Sequence, residues 1–183
     1  MDPLTTTDPE RIDEYTLDRR RREEIRVLLH ACFPDVTFAR TRTYAKQLPA
    51  RRLLASEQDR IVGHLGLEHR VIGTETGPLE ILGIIDLCVA EAHRGRGTAT
   101  QMLRWVEALA RETSVPFLML FAQDRRLYNR NDFIHGTNPL RWVKIHEHEI
   151  IGIGEEALAE LMVKAVGEKA WPEGHVDLLG YQF

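Results

Sequence analysis

The stretch Arg94-Gly95-Arg96-Gly97-Thr98-Ala99 joins an apolar, strand-like segment, Leu79–Val89, to a strongly helical one, Thr98–Glu112. A glycine-rich turn that opens a helix gathers backbone N–H groups at the positive end of the helix dipole, and such a site binds phosphate. Three readings of the turn compete. A dinucleotide loop needs G-x-G-x-x-G, and Thr100 stands where the third glycine belongs. It also needs an acidic residue at the end of the next strand, and none appears before Asp124. A Walker A loop is excluded because no G-K-[S/T] follows. The third reading is a plain turn with two solvated arginines.

Other residue types could also do chemistry. Cys32 and Cys88 lie in apolar segments without metal-type spacing and read as free thiols of a reducing compartment. His146-Glu147-His148 would place both imidazoles on one face of a strand. A metal site needs a third ligand that the sequence does not name, so no metal is expected. Arg19–Arg22 is the one dense basic cluster, and Glu23 and Glu24 follow it directly. It reads as a solvated helix start, with a local anion or nucleic-acid contact as the alternative.

These residues need elements to hold them. Residues 1–9, with Pro3 and Pro9, read as a loose leader, and Arg11–Thr16 as a short strand. Asp18 can cap a helix whose Ile25, Leu28, Leu29 and Cys32 recur at helical spacing until Pro34. A second short helix is expected over Ala39–Gln47. Arg52–Ser56, Arg60–Ile72 and Leu79–Val89 form an antiparallel meander. The helix from Thr98 carries Met102, Leu103, Val106, Leu109 and Ala110 as one apolar stripe. Phe117–Phe121 follows as a strand parallel to Leu79–Val89. A short helix is expected over Asp124–Asn131, a strand over Arg141–Ile151, a helix over Gly154–Val166, and a last strand over Val176–Phe183. The fold class is mixed α/β (α+β), one domain over residues 10–183, with a central mixed sheet of about six to seven strands flanked by helices.

Composition narrows the function. The chain has 183 residues, 43% hydrophobic and 28% charged, with a net charge of −4. That is the make-up of a globular protein, without the basic excess of a nucleic-acid binder. No apolar run reaches membrane-spanning length, and the N-terminus, with Asp2, Asp8 and Glu10, is not a signal peptide. A cytoplasmic location is expected, with no nucleic-acid or membrane partner.

The segment Ile85–Ala99 resembles motif A of the GNAT superfamily of acyl-CoA-dependent N-acyltransferases, a strand followed by [Q/R]-x-x-G-x-[G/A] and a helix. Arg94, Gly97 and Ala99 fill that pattern. The order of elements is similar to the GNAT fold over nearly the whole chain. Leu127-Tyr128-Asn129-Arg130-Asn131-Asp132-Phe133 resembles motif B, L-Y-x-x-x-G-F, with Asp132 in the glycine position. Gly63-His64-Leu65-Gly66-Leu67, Arg70 and Trp171-Pro172-Glu173-Gly174 are similar to segments of the rhizobial nodulation acyltransferase A family, which acylates an amino sugar with a fatty chain.

The GNAT resemblance implies acyl transfer from acetyl-CoA, or another acyl-CoA, to a small-molecule or peptide amine. The CoA pyrophosphate would lie on the N–H groups of Gly95, Arg96, Gly97, Thr98 and Ala99, with charge from Arg94 and Arg96. Leu87, Cys88 and Val89 would line the pantetheine arm. There the strand would splay from its parallel neighbour and free an N–H for the thioester oxyanion. Asp86, in its apolar run, is the candidate general base, Glu80 the second carboxylate, and Tyr128 the acid for the leaving thiolate. Asp86 also fits a satisfied structural carboxylate, and Tyr128 a core aromatic. Cys88 reads as a packed thiol rather than a covalent relay. His64 and His69 could line the acceptor side or be structural. A longer acyl donor, a non-catalytic CoA-binding module and a homodimer all remain open.

Overall fold

Residues 9–183 are described by the computed structural model; the expected leader, apart from Pro9, lies outside them. Strand β1 (Glu10–Asp13) is followed by a single 3-10 turn, Glu14–Thr16, where the sequence suggested one continuous strand. The turn carries Glu14 inward, where it is buried against Arg52. Helix α1 (Arg19–Cys32) starts as expected, with Asp18 Oδ1 accepting from the Arg21 N–H at 2.7 Å. It buries Ile25, Leu28 and Leu29.

The helix expected over Ala39–Gln47 does not form. A 3-10 turn, Thr37–Arg40, takes its place, and irregular chain follows. The cause is local competition for backbone oxygens. The Thr43 carbonyl accepts from Arg52 Nη2 at 3.0 Å and Thr43 Oγ1 accepts from the same nitrogen at 3.1 Å. A helix would claim that carbonyl for itself.

β2 (Arg51–Glu57) and β3 (Arg60–Thr74) form a hairpin whose central residues Gln58 and Asp59 take φ of 51° and 60°. Two left-handed residues match the right-handed twist of the strands. β4 (Gly77–Val89) leads to α2 (Thr98–Glu112), which buries Met102, Leu103, Val106, Leu109 and Ala110. β5 (Phe117–Phe121) then lies parallel to β4, Ile81 opposite Phe117 and Gly83 opposite Met119. Helix α3 is a single turn, Arg126–Asn129, within the expected span, and β6 (Ile134–His135) follows.

Two expectations fail in the C-terminal third. The strand expected over Arg141–Ile151 is a hairpin of β7 (Pro139–His146) and β8 (Glu149–Ala157), turning at Glu147 and His148 with φ of 45° and 69°. His146 and His148 therefore do not share a strand face. The helix expected over Gly154–Val166 is instead the end of β8 and β9 (Leu161–Ala165). The buried run Leu161-Met162-Val163 pairs antiparallel with β5, and a short apolar run fits either period until a partner strand decides it. β10 (Val176–Tyr181) closes the chain, parallel to β7 and antiparallel to β3.

The hydrogen-bonded order is β6-β9-β5-β4-β3-β10-β7-β8, with β2 joining β3 and β1 joining β2. That makes ten strands among the described residues, more than the six to seven expected. Contacts divide the chain into two compact units, and β3, β4 and α2 each contribute to both. The first comprises residues 9–67 and 85–105; its core gathers Ile12, Ile25, Leu29, Phe38, Leu54 and Cys88. The second comprises Glu68–Ile84 and Val106–Phe183; its core gathers Ile72, Ile81, Phe117, Trp142, Leu161 and Val176.

Gly154 lies opposite Trp142 across β7 and β8, and a Cβ there would meet the indole ring. Gly154→Ala is therefore expected to cost about 1–3 kcal/mol through overpacking. A thermal melt of the variant checks this; an unchanged Tm would show that the indole moves aside freely.

Candidate functional site

The loop and the residues that brace it belong to the first unit. Gly95 and Gly97 have φ of 75° and 86°, and a Cβ built on either meets open space. Glycine is needed here for the left-handed backbone, not because the protein crowds the position. The Gln101 N–H bonds the Gly97 carbonyl at 2.9 Å, which places Gly97 just outside α2. The N–H groups of Thr98 and Ala99 thus fall in the first turn, where a helix supplies no acceptors of its own. An anion is the fitting partner for that end of a helix.

The two loop arginines are more constrained than the sequence suggests. Arg94 Nε donates to the Val89 carbonyl at 3.0 Å, so this side chain is tied to the end of β4. Arg96 Nη1 lies 3.6 Å from Glu57 Oε1, and His93 Nε2 lies 2.7 Å from Glu57 Oε2. Sequence reasoning missed Glu57, which the β2–β3 hairpin brings to the loop. His93 Nδ1 is buried without a hydrogen-bond partner among the described residues.

Asp86 sits eight residues before Arg94, near the end of β4, with φ of 49°. A non-glycine residue in this region costs about 1–2 kcal/mol, so something must hold it. His64 supplies one restraint: its ring is fully buried, and Nδ1 donates to the Asp86 carbonyl at 2.9 Å. Nε2 must then be the acceptor, and Arg52 Nη1 donates to it at 2.8 Å. Burial, and then the Arg52 charge, press the imidazole pKa down to about 3, so the ring stays neutral. Arg52 is itself fully buried, donating Nε to Glu14 and Nη2 to Thr43. The Asp86 carboxyl is pushed up to about 6 by burial, against the pull of Arg52 and Lys46. It is charged at neutral pH and close to the point of accepting a proton, which suits a general base.

Cys88 and Cys32 form a second pair beside the loop. Cys32 Sγ lies 3.5 Å from the Val89 carbonyl oxygen, the same oxygen that Arg94 holds. Hydrogen bonding from Cys88, with further help from Arg94, lowers the Cys32 pKa. Cys88 is buried, and its contact with Cys32 and its burial drive its pKa up. Cys32, not Cys88, is the thiol with thiolate character, and only its contact across to β4 shows this.

The remaining candidates lie in the second unit. Tyr128 is half-buried on α3, edge-on to Phe133 with centroids 5.8 Å apart. Its carbonyl accepts from the Phe133 N–H at 3.1 Å. Asp132 has φ of 64°, which explains why glycine suits that motif position. Glu80 is exposed and lies 3.1 Å from His69 Nε2, so both belong to a solvated side-chain contact. Among the described residues, no group of three or more His, Cys, Asp or Glu could hold a metal.

The two thiols give a direct test of this geometry. Cys32, half-buried and with its pKa lowered, is expected to react with iodoacetamide faster than Cys88, which is buried in the folded protein. Arg94→Gln should slow the labelling of Cys32. Peptide mass spectrometry after a timed pulse reads both; faster labelling of Cys88 would contradict the assignment.

Comparison with known proteins places this chain in a family. A family model described as an acetyltransferase (GNAT) domain matches residues 16–136, well over half of the chain. Comparison with curated protein sequences finds no match. Among solved structures, the fold is similar to the GNAT family N-acetyltransferase YhbS from Escherichia coli in complex with CoA. That match has a TM-score of 0.65 and 17% identity, covering 97% of this chain and 92% of the other. A GNAT family acetyltransferase from Brucella melitensis in complex with acetyl-CoA gives a TM-score of 0.58 at 17% identity, covering 92% and 94%. Escherichia coli ElaA gives 0.57 at 18% identity, covering 85% and 97%. The matched segment contains β2–β4, the glycine loop, α2 and α3, and the chain belongs to the GNAT acetyltransferase family.

Proposed function

We propose that this chain transfers an acyl group, most simply acetyl, from acyl-CoA to a primary amine by direct attack. One observation carries the reading: Asp86, partly buried and held at its carbonyl by His64, stands on the strand that feeds a glycine loop at a helix N-terminus. Each part has a physical task. The N–H groups of Gly95 to Ala99, with Arg94 and Arg96, would hold the CoA pyrophosphate. Leu87, Cys88 and Val89 would run beside the pantetheine arm. A backbone N–H at Cys88 or Val89 would steady the oxygen of the thioester as it gains charge, worth roughly 3–4 kcal/mol of barrier.

The acyl acceptor brings the nitrogen. As the C–N bond forms, that nitrogen becomes acidic and Asp86 takes its proton. The C–S bond then breaks and the departing thiolate takes up a proton, a role for which Tyr128 is the candidate by its place in the motif B resemblance alone. Sulfur leaves as a thiol, so no covalent acyl-enzyme is required. Cys88, buried and with a raised pKa, stays out of the chemistry. The free thiols Cys32 and Cys88 suit a reducing cytoplasmic setting.

The segment that hinted at a longer acyl donor has another explanation in the packing. His64 is occupied by Arg52 and Asp86, and a Cβ on Gly66 would lie 2.5 Å from Ile85 Cγ1. Nothing in that segment needs a fatty chain to account for it. An acetyl-sized donor is the simpler reading.

Two experiments test the proposal. Asp86→Asn is expected to lower kcat about 10²–10⁴-fold while CoA affinity is retained. In the parent protein kcat/KM should rise with pH through about 6 and then flatten, because the base works only when deprotonated; the variant should lose that limb. A pH profile flat from about 5 to about 8, on both sides of the expected value, would remove Asp86 as the base. Separately, Gly97→Val places a β-branched residue at φ of 86° and should abolish CoA binding in a protein that still folds. Calorimetric titration with CoA, beside a circular dichroism spectrum, checks it; retained micromolar affinity would take the loop out of the site.

A further inference from the structure

Two thiols whose sulfurs the proposed transfer does not use meet beside the glycine loop. Cys32 is the last residue of α1 and Cys88 the last but one of β4, both within the first unit. Cys88 belongs to that unit's core, and Cys32 packs against the core with Phe33, Ile61 and Ala90. Cys32 Sγ lies 3.5 Å from the carbonyl oxygen of Val89, the residue after Cys88, and the two thiols are in hydrogen-bonding contact with each other. Both cysteines are free.

The two sulfurs have different surroundings. Cys88 is buried, whereas Cys32 is half-buried and open in part to solutes. Contact with Cys88, and then with the Arg94 guanidinium, favours the charged form of Cys32. Arg94 Nε also donates to the Val89 carbonyl at 3.0 Å, so one cation serves the thiol and the oxygen beside it. A partly exposed thiol next to a cation is the one an oxidant reaches first, and a second thiol in contact can resolve the product.

We propose that Cys32 and Cys88 close into a reversible disulfide when the protein meets a peroxide, and that this bond switches off cosubstrate binding at the neighbouring loop. The bond follows from the contact between the thiols. The switch rests on the reading of Gly95–Ala99 as the CoA loop and of Leu87–Val89 as the strand beside the pantetheine arm.

The chemistry balances in two steps. The Cys32 sulfur attacks one oxygen of hydrogen peroxide and the O–O bond breaks. The departing hydroxide takes the proton that the thiol gave up and leaves as water, and Cys32 becomes a sulfenic acid. The Cys88 sulfur then attacks the Cys32 sulfur, forming the S–S bond and breaking the S–O bond. The second hydroxide takes the Cys88 proton and also leaves as water. Each sulfur has lost one electron, and the two oxygens of the peroxide have gained them. A dithiol reductant returns both electrons and both protons.

The consequence for the loop is mechanical. An S–S bond is about 2.05 Å long, much shorter than a hydrogen-bonding contact between thiols. Closing it must draw the end of α1 and the end of β4 together, and a close-packed interior passes such a shift to its neighbours. The nearest neighbour is the Val89 carbonyl, which Cys32 touches and Arg94 grips. Moving that oxygen pulls on Arg94, the residue that leads into Gly95.

The test has two readouts. First, the full chain is treated with stoichiometric hydrogen peroxide, quenched in acid, and its intact mass and peptide map are measured. Loss of two hydrogens, a Cys32–Cys88 crosslinked peptide and recovery with dithiothreitol support the bond. Cys88→Ser should instead stop at a Cys32 sulfenic acid that dimedone traps. A stable sulfenic or sulfinic acid on Cys32 in the parent, with Cys88 still a free thiol, overturns the proposal, as does a bond that links two chains.

Second, CoA is titrated calorimetrically into the reduced, oxidised and re-reduced chain, with circular dichroism confirming that each is folded. Affinity about tenfold or more weaker in the oxidised form, restored on reduction, supports the switch. Cys32→Ser should give the same affinity before and after peroxide. A disulfide that forms and leaves CoA affinity unchanged overturns the switch while the loop reading stands. No CoA binding by the reduced chain overturns the loop reading and the switch with it, and the crosslinked peptide alone then remains.

Discussion

The buried hydrogen-bond chain from Glu14 through Arg52 and His64 to the carbonyl of Asp86 is the constraint on which the first unit depends. A guanidinium removed from water costs several kcal/mol unless its donors are satisfied. Arg52 meets that demand with Glu14, Thr43 and His64, which come from the turn after β1, the irregular segment before β2, and β3. His64 passes the restraint to β4. One buried side chain thus fixes the stretch after β1, abolishes an otherwise plausible helix over 39–47, and holds the left-handed kink at Asp86. The kink and the raised carboxyl pKa meet at one residue: His64 holds the Asp86 carbonyl, and burial raises the carboxyl.

The glycine loop is the second fixed point, joined to the first by β4. Gly95 and Gly97 supply backbone shape, α2 supplies N–H groups, and the side chains do less than their charges suggest. Arg94 is spent on the end of β4, and Arg96 shares Glu57 with His93. Exposed ion pairs of the Arg96 kind contribute only about 0–1 kcal/mol, so under the proposed function the backbone, more than these side chains, would hold a phosphate. The Val89 carbonyl, gripped by Arg94 and touched by Cys32, joins the strand end, the loop and the C-terminal end of α1.

Much of this was legible in the sequence where the signal is local. Asp18 before an apolar helical stripe, the turn around Gln58-Asp59, and a strand feeding Arg94–Ala99 each specify their element without outside help. The failures share a cause: a partner distant in sequence decides. The helix over Ala39–Gln47 is lost to a hydrogen bond from Arg52. Leu161–Ala165 is a strand because β5 pairs with it. The strand over Arg141–Ile151 breaks at Glu147 and His148, residues that carry no glycine or proline signal. At the site, Asp86 could be named from its apolar run, but the His64–Arg52 support and the role of Glu57 could not, because strand register alone brings them together.

The central claim is that burial holds the Asp86 carboxyl near neutrality. Its most direct test is a carbon-detected NMR titration of the aspartate side-chain carboxyl groups, with Asp86→Asn assigning the resonance. One aspartate titrating near pH 6, and missing from the variant, is the predicted result. An Asp86 carboxyl titrating with the exposed aspartates, at about 3.9, would contradict the account.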